Sequence, residues 1–114
     1  MGNDSKIYFV PYRGNFTRGI FTSIYMKFDD EIENIKSIYK DFYESHPFTF
    51  LSKNDINLKE VINTNNCLIS VCNTKYKNRI ILLSSIDNLI KGGAGQAVQN
   101  MNIKFGFNDF EGLR

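Results

Sequence analysis

Apolar and polar residues begin to alternate at Arg18. Ile20, Thr22, Ile24, Met26 and Phe28 fall on one side of an extended chain, and Gly19, Phe21, Ser23, Tyr25 and Lys27 on the other. Period two of this length predicts a strand, and because the second side still carries two aromatics, both faces are expected to be covered. Asp29-Asp30-Glu31 ends the strand and opens a helix. Asp30 stands where a cap belongs, Glu33 completes a capping-box spacing, and the acids suit the positive helix end. Ile32, Ile35, Tyr39, Phe42 and Tyr43 then recur at helical spacing as a wide aromatic stripe, which predicts packing on a sheet. Ser45-His46-Pro47 stops the helix, because proline disfavours helical geometry in the residue before it.

Upstream, Lys6 to Pro11 reads as a strand ended by proline, followed by a loop through Phe16. Downstream, Phe48 to Leu51 is a short strand candidate. A polar, Asn-rich connection from Ser52 to Asn66 is anchored by Ile56, Leu58, Val61 and Ile62. Cys67 to Cys72 and Arg79 to Ile86 are apolar runs joined by Asn73-Thr74-Lys75-Tyr76-Lys77-Asn78, the composition of an antiparallel hairpin. The pattern as a whole predicts one α+β domain over residues 1–114, with a mostly antiparallel sheet and helices packed on one face.

Asp87-Asn88-Leu89-Ile90-Lys91 leaves the last strand, and Gly92-Gly93-Ala94-Gly95 opens a segment whose Ala94, Ala97, Val98, Met101 and Phe105 lie on a helical stripe. Three glycines inside a helix cost on the order of 3 kcal/mol relative to alanine. They are therefore expected to admit a close approach by another backbone, side chain or ligand. The spacing is neither the G-x-G-x-x-G dinucleotide fingerprint nor a P-loop, which needs a following Lys-Ser/Thr. Tight helix packing and a ligand at the helix start both remain open.

At 114 residues and 42% hydrophobic, the chain can build one core but not a complete two-domain enzyme. Fourteen basic against twelve acidic residues, a net charge of +2 without long runs, offer no footprint for nucleic acid. No stretch approaches the ~20 apolar residues of a membrane helix. The start, Met1 to Lys6, lacks the apolar core of a signal peptide, so a cytoplasmic location is expected. Cys67 and Cys72 lie on opposite faces of an extended segment, about 16 Å apart, and cannot pair with each other. They also fail every zinc spacing, so no metal site is expected. His46, the single imidazole, reads as an exposed histidine at a helix end. Arg18 opens the first long strand beside Thr17 and Gly19, where its planar fork suits either an anionic ligand or an ordinary ion pair.

Three blocks carry a resemblance: Phe9-Val10-Pro11; Thr17-Arg18-Gly19-Ile20; and Ser85-Ile86-Asp87-Asn88-Leu89-Ile90-Lys91-Gly92-Gly93-Ala94-Gly95-Gln96-Ala97-Val98-Gln99-Asn100-Met101-Asn102. Together they resemble the C-terminal part of the N-acetyl-γ-glutamyl-phosphate reductase family, over nearly the whole chain. The resemblance implies the α+β catalytic and oligomerisation domain of a reductase like glyceraldehyde-3-phosphate and aspartate-semialdehyde dehydrogenases. It implies NADP as cofactor, N-acetyl-γ-glutamyl phosphate as substrate, N-acetylglutamate semialdehyde as product, and a homo-oligomer.

Matched residue by residue, the resemblance makes Asn88, Gly92 and Gly93 cofactor-facing, with the 91–105 helix packed on a Rossmann domain that this chain lacks. It makes Arg18 substrate-binding. That family's catalytic cysteine, in a Gly-Cys-Tyr-Pro type motif, and its histidine base have no counterpart here, so no catalytic residue is assigned and the chain alone is expected to be inactive. Where the family commonly has His-Leu-Val-Pro-Met, this chain has Tyr12-Arg13-Gly14-Asn15-Phe16. The end at Glu111-Gly112-Leu113-Arg114 favours a fragment over the alternative, a stand-alone α+β ligand-binding or protein-interaction module.

Overall fold

The computed structural model describes residues 6–114. The polar start, residues 1–5, lies outside them. Strands β1 (Ile20–Lys27), β2 (Thr49–Ser52), β3 (Cys67–Asn73) and β4 (Arg79–Ile86) form one sheet in the order β1-β4-β3-β2. β4 runs antiparallel to both β1 and β3, whereas β2 joins β3 in parallel. Two helices complete the fold, α1 (Ile32–Tyr43) and α2 (Gly95–Phe105). The expected α+β architecture is met, including the hairpin at 67–86.

Pairing of Ile69 with Ser84, Val71 with Leu82 and Ile24 with Leu82 sets which side chains share a face. One face carries Ile69, Val71, Ile80 and Leu82, and α1 lays Ile35 on it. Phe28, Ile32, Tyr39 and Leu51 pack around that centre. Truncating Ile35 to alanine there costs about 3 kcal/mol by lost burial and cavity formation. The opposite face is crossed by the 53–66 connection, pinned where Ser70 Oγ donates to Asn54 O at 3.2 Å. Ile56 and Val61 bury their side chains in this layer. A single 3-10 turn, Leu58–Glu60, is closed by a reciprocal Asn57–Glu60 capping box.

Three expectations need correction. Lys6–Pro11 forms no strand: Ile7, Tyr8 and Phe9 stand more than 85% exposed, because no strand among the described residues reaches them to supply a ladder. Nor is β1 covered on both faces; it is an edge strand, and all eight of its residues are exposed. Asp30 does not build a capping box with Glu33. Its Oδ1 accepts instead from Glu31 N–H at 2.7 Å and from Asn34 Nδ2 at 2.8 Å.

α2 turns its polar side inward: Gln99 and Asn102 are buried, while Met101, Ile103 and Phe105 are exposed. Asn102 Nδ2 donates to Asp109 O and Glu111 O, tying the C-terminal turn to the helix. Gly106, at φ 74°, closes α2 in the left-handed conformation.

Candidate functional site around Asp87 and Asn88

β4 ends at Ile86, and the next residue is a carboxylate that the fold hides completely: Asp87 is 0% exposed. Its Oδ1 accepts Leu89 N–H at 2.8 Å and Ile90 N–H at 3.1 Å, as a capping aspartate does at a helix start. Its Oδ2 accepts Asn63 N–H at 2.8 Å and pairs with Arg18 Nη2 at 2.9 Å. Burial alone would raise this carboxyl. The three backbone N–H groups and the guanidinium outweigh that effect and hold it below the usual carboxylate range.

Three distant segments thus meet on one side chain: the entry to β1, the 61–66 connection and the turn that follows β4. The first and third are joined a second time. Asn88 Oδ1 accepts Gly19 N–H at 2.6 Å. Gly19 has φ +111°, and a Cβ there would collide with Leu58, so this crossing requires glycine. Arg18 Nη1 donates to Asn63 Oδ1 at 2.7 Å, and its Nε–H is buried without a partner among the described residues. Of the two functions the sequence left open for Arg18, the structure displays the ion pair. One N–H on each terminal nitrogen stays uncommitted, and 31% of the side chain faces solvent.

Beyond Asn88 the chain winds through a wide turn, Ile90–Ala94, that is kinked at Gly93 (φ −150°, ψ −111°), with Gly92 N–H bonded to Asp87 O at 2.9 Å and Ala94 N–H to Leu89 O at 2.9 Å. Leu89, Gly92, Gly93 and Ala94 are all exposed. A Cβ on Gly93 would meet only Asn88 O, at 3.4 Å, and one on Gly92 would make ordinary contact with Ile86 and Ile20. These two glycines therefore front open space. Gly95 differs. It is buried, and a Cβ there would strike Asn65 Oδ1 and sit 2.8 Å from Ile90 O. The chain's own packing accounts for this third glycine, one of the two readings that the sequence leaves open.

Behind the turn, Lys91 Nζ donates to Gln99 Oε1 at 2.8 Å, lies 5.7 Å from the centre of the Phe48 ring, and shares its acceptor with Asn65 Nδ2. Burial lowers the Lys91 pKa, with Cys67 pulling the other way. Cys67 and Cys72 are free thiols on opposite sheet faces. His46 stacks on Phe42 at the exposed end of α1. Among the described residues no group of three or more His, Cys, Asp or Glu could hold a metal ion, and no helix is long and apolar enough to cross a membrane.

Residues singled out from sequence, Arg18, Asn88, Gly92 and Gly93, are brought to one edge of the sheet. Asp87 and Asn63, which organise them, were not singled out. The signal was present: an aspartate just after a strand and ahead of a helix start is a capping position, and asparagine is, after glycine, the residue that most readily takes the positive φ, 65°, found at Asn63.

Comparison with known proteins gives a consistent likeness. The profile of the semialdehyde dehydrogenase dimerisation domain matches residues 1–88. The N-acetyl-gamma-glutamyl-phosphate reductase of Karelsulcia muelleri is 55% identical over 112 residues, covering 97% of this chain and 34% of that protein. Those of Christiangramia forsetii and Flavobacterium johnsoniae are 49% and 46% identical, each over 96% of this chain and 33% of their own length. The chain spans about a third of the length of the curated relatives it matches.

Proposed function

The chain belongs to the semialdehyde dehydrogenase dimerisation-domain family, and from that premise we propose that it serves as the catalytic and oligomerisation domain of an NADP-dependent reductase. The reaction is reduction of N-acetyl-γ-glutamyl phosphate to N-acetylglutamate 5-semialdehyde with release of phosphate, a step of arginine biosynthesis. The relatives that match almost the whole chain bear this reductase's name. The observation that carries the reading is the exposed turn at 88–94. Its Asn88 amide has an uncommitted Nδ2, and its Gly92 and Gly93 leave a bare backbone surface.

A nicotinamide cofactor fits that surface. Gly92 and Gly93 leave room for it beside the backbone, and Asn88 Nδ2 would donate to its carboxamide while Oδ1 stays with Gly19. When bound, the cofactor supplies hydride. This chain's residues bind and orient: Asn88 fixes the ring substituent, Gly92 and Gly93 let a second domain close on the turn and exclude water, and Arg18 offers its remaining N–H groups to an anionic group of the substrate. No nucleophile is assigned to Cys67 or Cys72, which sit in strand β3 and pack beside Ser84 and Ser70.

The family's name supports a homo-oligomer. The exposed apolar residues of 7–10 and of β1 provide the surface for it.

The deciding experiment is an assay of the whole polypeptide to which this chain belongs, beside the 114 residues alone. Acyl-phosphate-dependent oxidation of NADPH by the former and none by the latter is the expected pair of results. Inactivity of both, with ligand or protein capture by the 114 residues, would replace the reductase reading with that of a self-standing interaction module.

A further inference from the structure

An arginine that serves an anion must present its guanidinium in one place, and a side chain with four rotatable bonds does so only where other groups hold it. Arg18 is held at both terminal nitrogens, by Asn63 Oδ1 at 2.7 Å and Asp87 Oδ2 at 2.9 Å. The holders are themselves fixed. Asp87 takes backbone N–H groups on both oxygens, one of them from Asn63. Asn63 therefore acts twice, through its N–H on Asp87 and through its side-chain carbonyl on Arg18. The burial is lopsided: Asp87 keeps none of its side chain in solvent, whereas Arg18 keeps 31%. The pair hides its anion and turns its cation outward, an arrangement suited to receiving a second anion.

We infer that Asn63 and Asp87 are positioning residues for Arg18, fixing the guanidinium that receives the substrate's anionic group. The inference rests on the reductase reading above. Neither residue touches substrate. Each acts by removing the rotational freedom that Arg18 would otherwise lose at every binding event, so the effect belongs in substrate affinity and not in the cofactor's.

The test is a split of kinetic constants in the whole reductase polypeptide. Asn63→Gly keeps the left-handed backbone and the N–H to Asp87 but deletes the carbonyl that holds Arg18. It is expected to raise KM for the acyl phosphate about fivefold, leaving kcat and the KM for NADPH within about twofold. Asp87→Asn retains an oxygen for the Leu89 and Ile90 N–H groups while turning an amide NH2 toward Arg18, and raises the same KM about tenfold. In an Arg18→Lys background, where one ammonium cannot engage both acceptors, Asn63→Gly adds nothing further.

An unchanged substrate KM in Asn63→Gly, or an equal rise in the Arg18→Lys background, overturns the inference while an active wild type leaves the reductase reading standing. An inactive wild type overturns both. Should Asp87→Asn fail to fold, Asn63→Gly decides alone.

Discussion

Asn88 accepts the Gly19 N–H through its side-chain carbonyl at 2.6 Å, and this bond decides what the amide can offer outward. With Oδ1 committed to the backbone at the entry of β1, only the Nδ2 donor is left for a ligand. The same bond fixes the post-β4 turn against the residue beside Arg18, so Asn88 and Arg18, the groups proposed to face cofactor and substrate, share one corner of the sheet.

Asn88→Asp separates the two roles. Aspartate still accepts from Gly19, so the unfolding free energy of the chain should stay within about 1 kcal/mol of wild type in urea titrations. The outward donor is gone and a negative charge replaces it. NADPH affinity of the whole polypeptide should fall about tenfold, equivalent to about 1.4 kcal/mol. Unchanged affinity would remove Asn88 from the cofactor surface.

The glycines after Lys91 should respond differently to alanine. At Gly95 the new methyl would press on Asn65 and lie 2.8 Å from Ile90 O, so Gly95→Ala should cost the chain about 2 kcal/mol. At Gly92 the nearest neighbour is Ile86 Cδ1 at 3.4 Å, and Gly92→Ala should leave thermal unfolding of the chain nearly unchanged. Bulkier Gly92→Val should then weaken NADPH binding by the whole polypeptide, because the obstruction faces outward. Equal destabilisation at 92 and 95 would mean that both are internal packing positions.

Asp87 gives the fold a specific acid sensitivity. Its folded-state pKa lies below the 3.8 of an unperturbed carboxyl, so its stabilising contribution is present above that pH and is lost as pH falls through the lowered value. Asp87→Ala should cost about 3 kcal/mol near neutral pH, leaving buried N–H groups and Arg18 unpaired. The gap between wild type and variant in urea midpoints should narrow below pH 3.8. A gap that stays constant down to pH 2 would show that the lowered pKa does not contribute to stability.

The bare edge should drive self-association. Ile24, Tyr25 and Met26 on β1, together with Tyr8 and Phe9, are exposed apolar side chains on or before an edge strand. Sedimentation at increasing concentration should show a dimer or larger species, and Ile24→Lys should shift it toward monomer. A strictly monomeric wild type at high concentration would contradict this.

What could be read from the residues follows the range of the forces involved. The 67–86 hairpin and α1 depend on local pattern and turn composition, and both appear as expected. The strand at 20–27 was legible, but its exposure was not, because edge position follows from the order β1-β4-β3-β2 and not from its own alternation. Lys6–Pro11 has strand-like residues yet finds no pairing partner among the described residues, and a ladder needs two strands. α2 was drawn by its apolar stripe, whereas the fold buries Gln99 and Asn102 because Asn65 and the carbonyls of Asp109 and Glu111 offer partners that no helical periodicity encodes.

At the site, Arg18, Asn88, Gly92 and Gly93 stood out through their motif. Asp87 and Asn63 act through bonds between positions far apart in the chain, Asn63–Asp87, Arg18–Asn63 and Arg18–Asp87, and only the folded chain reveals them.

The central claim is that the turn from Asn88 to Ala94 is the surface on which cofactor and a second domain close. Hydrogen–deuterium exchange on the whole polypeptide, with and without NADP⁺, tests it directly. Slowed exchange is expected at the backbone amides of 88–94 on adding NADP⁺, with the distant hairpin tip at 74–78 unaffected. Exchange at 88–94 that is indifferent to NADP⁺, in a polypeptide that demonstrably binds it, would contradict the account.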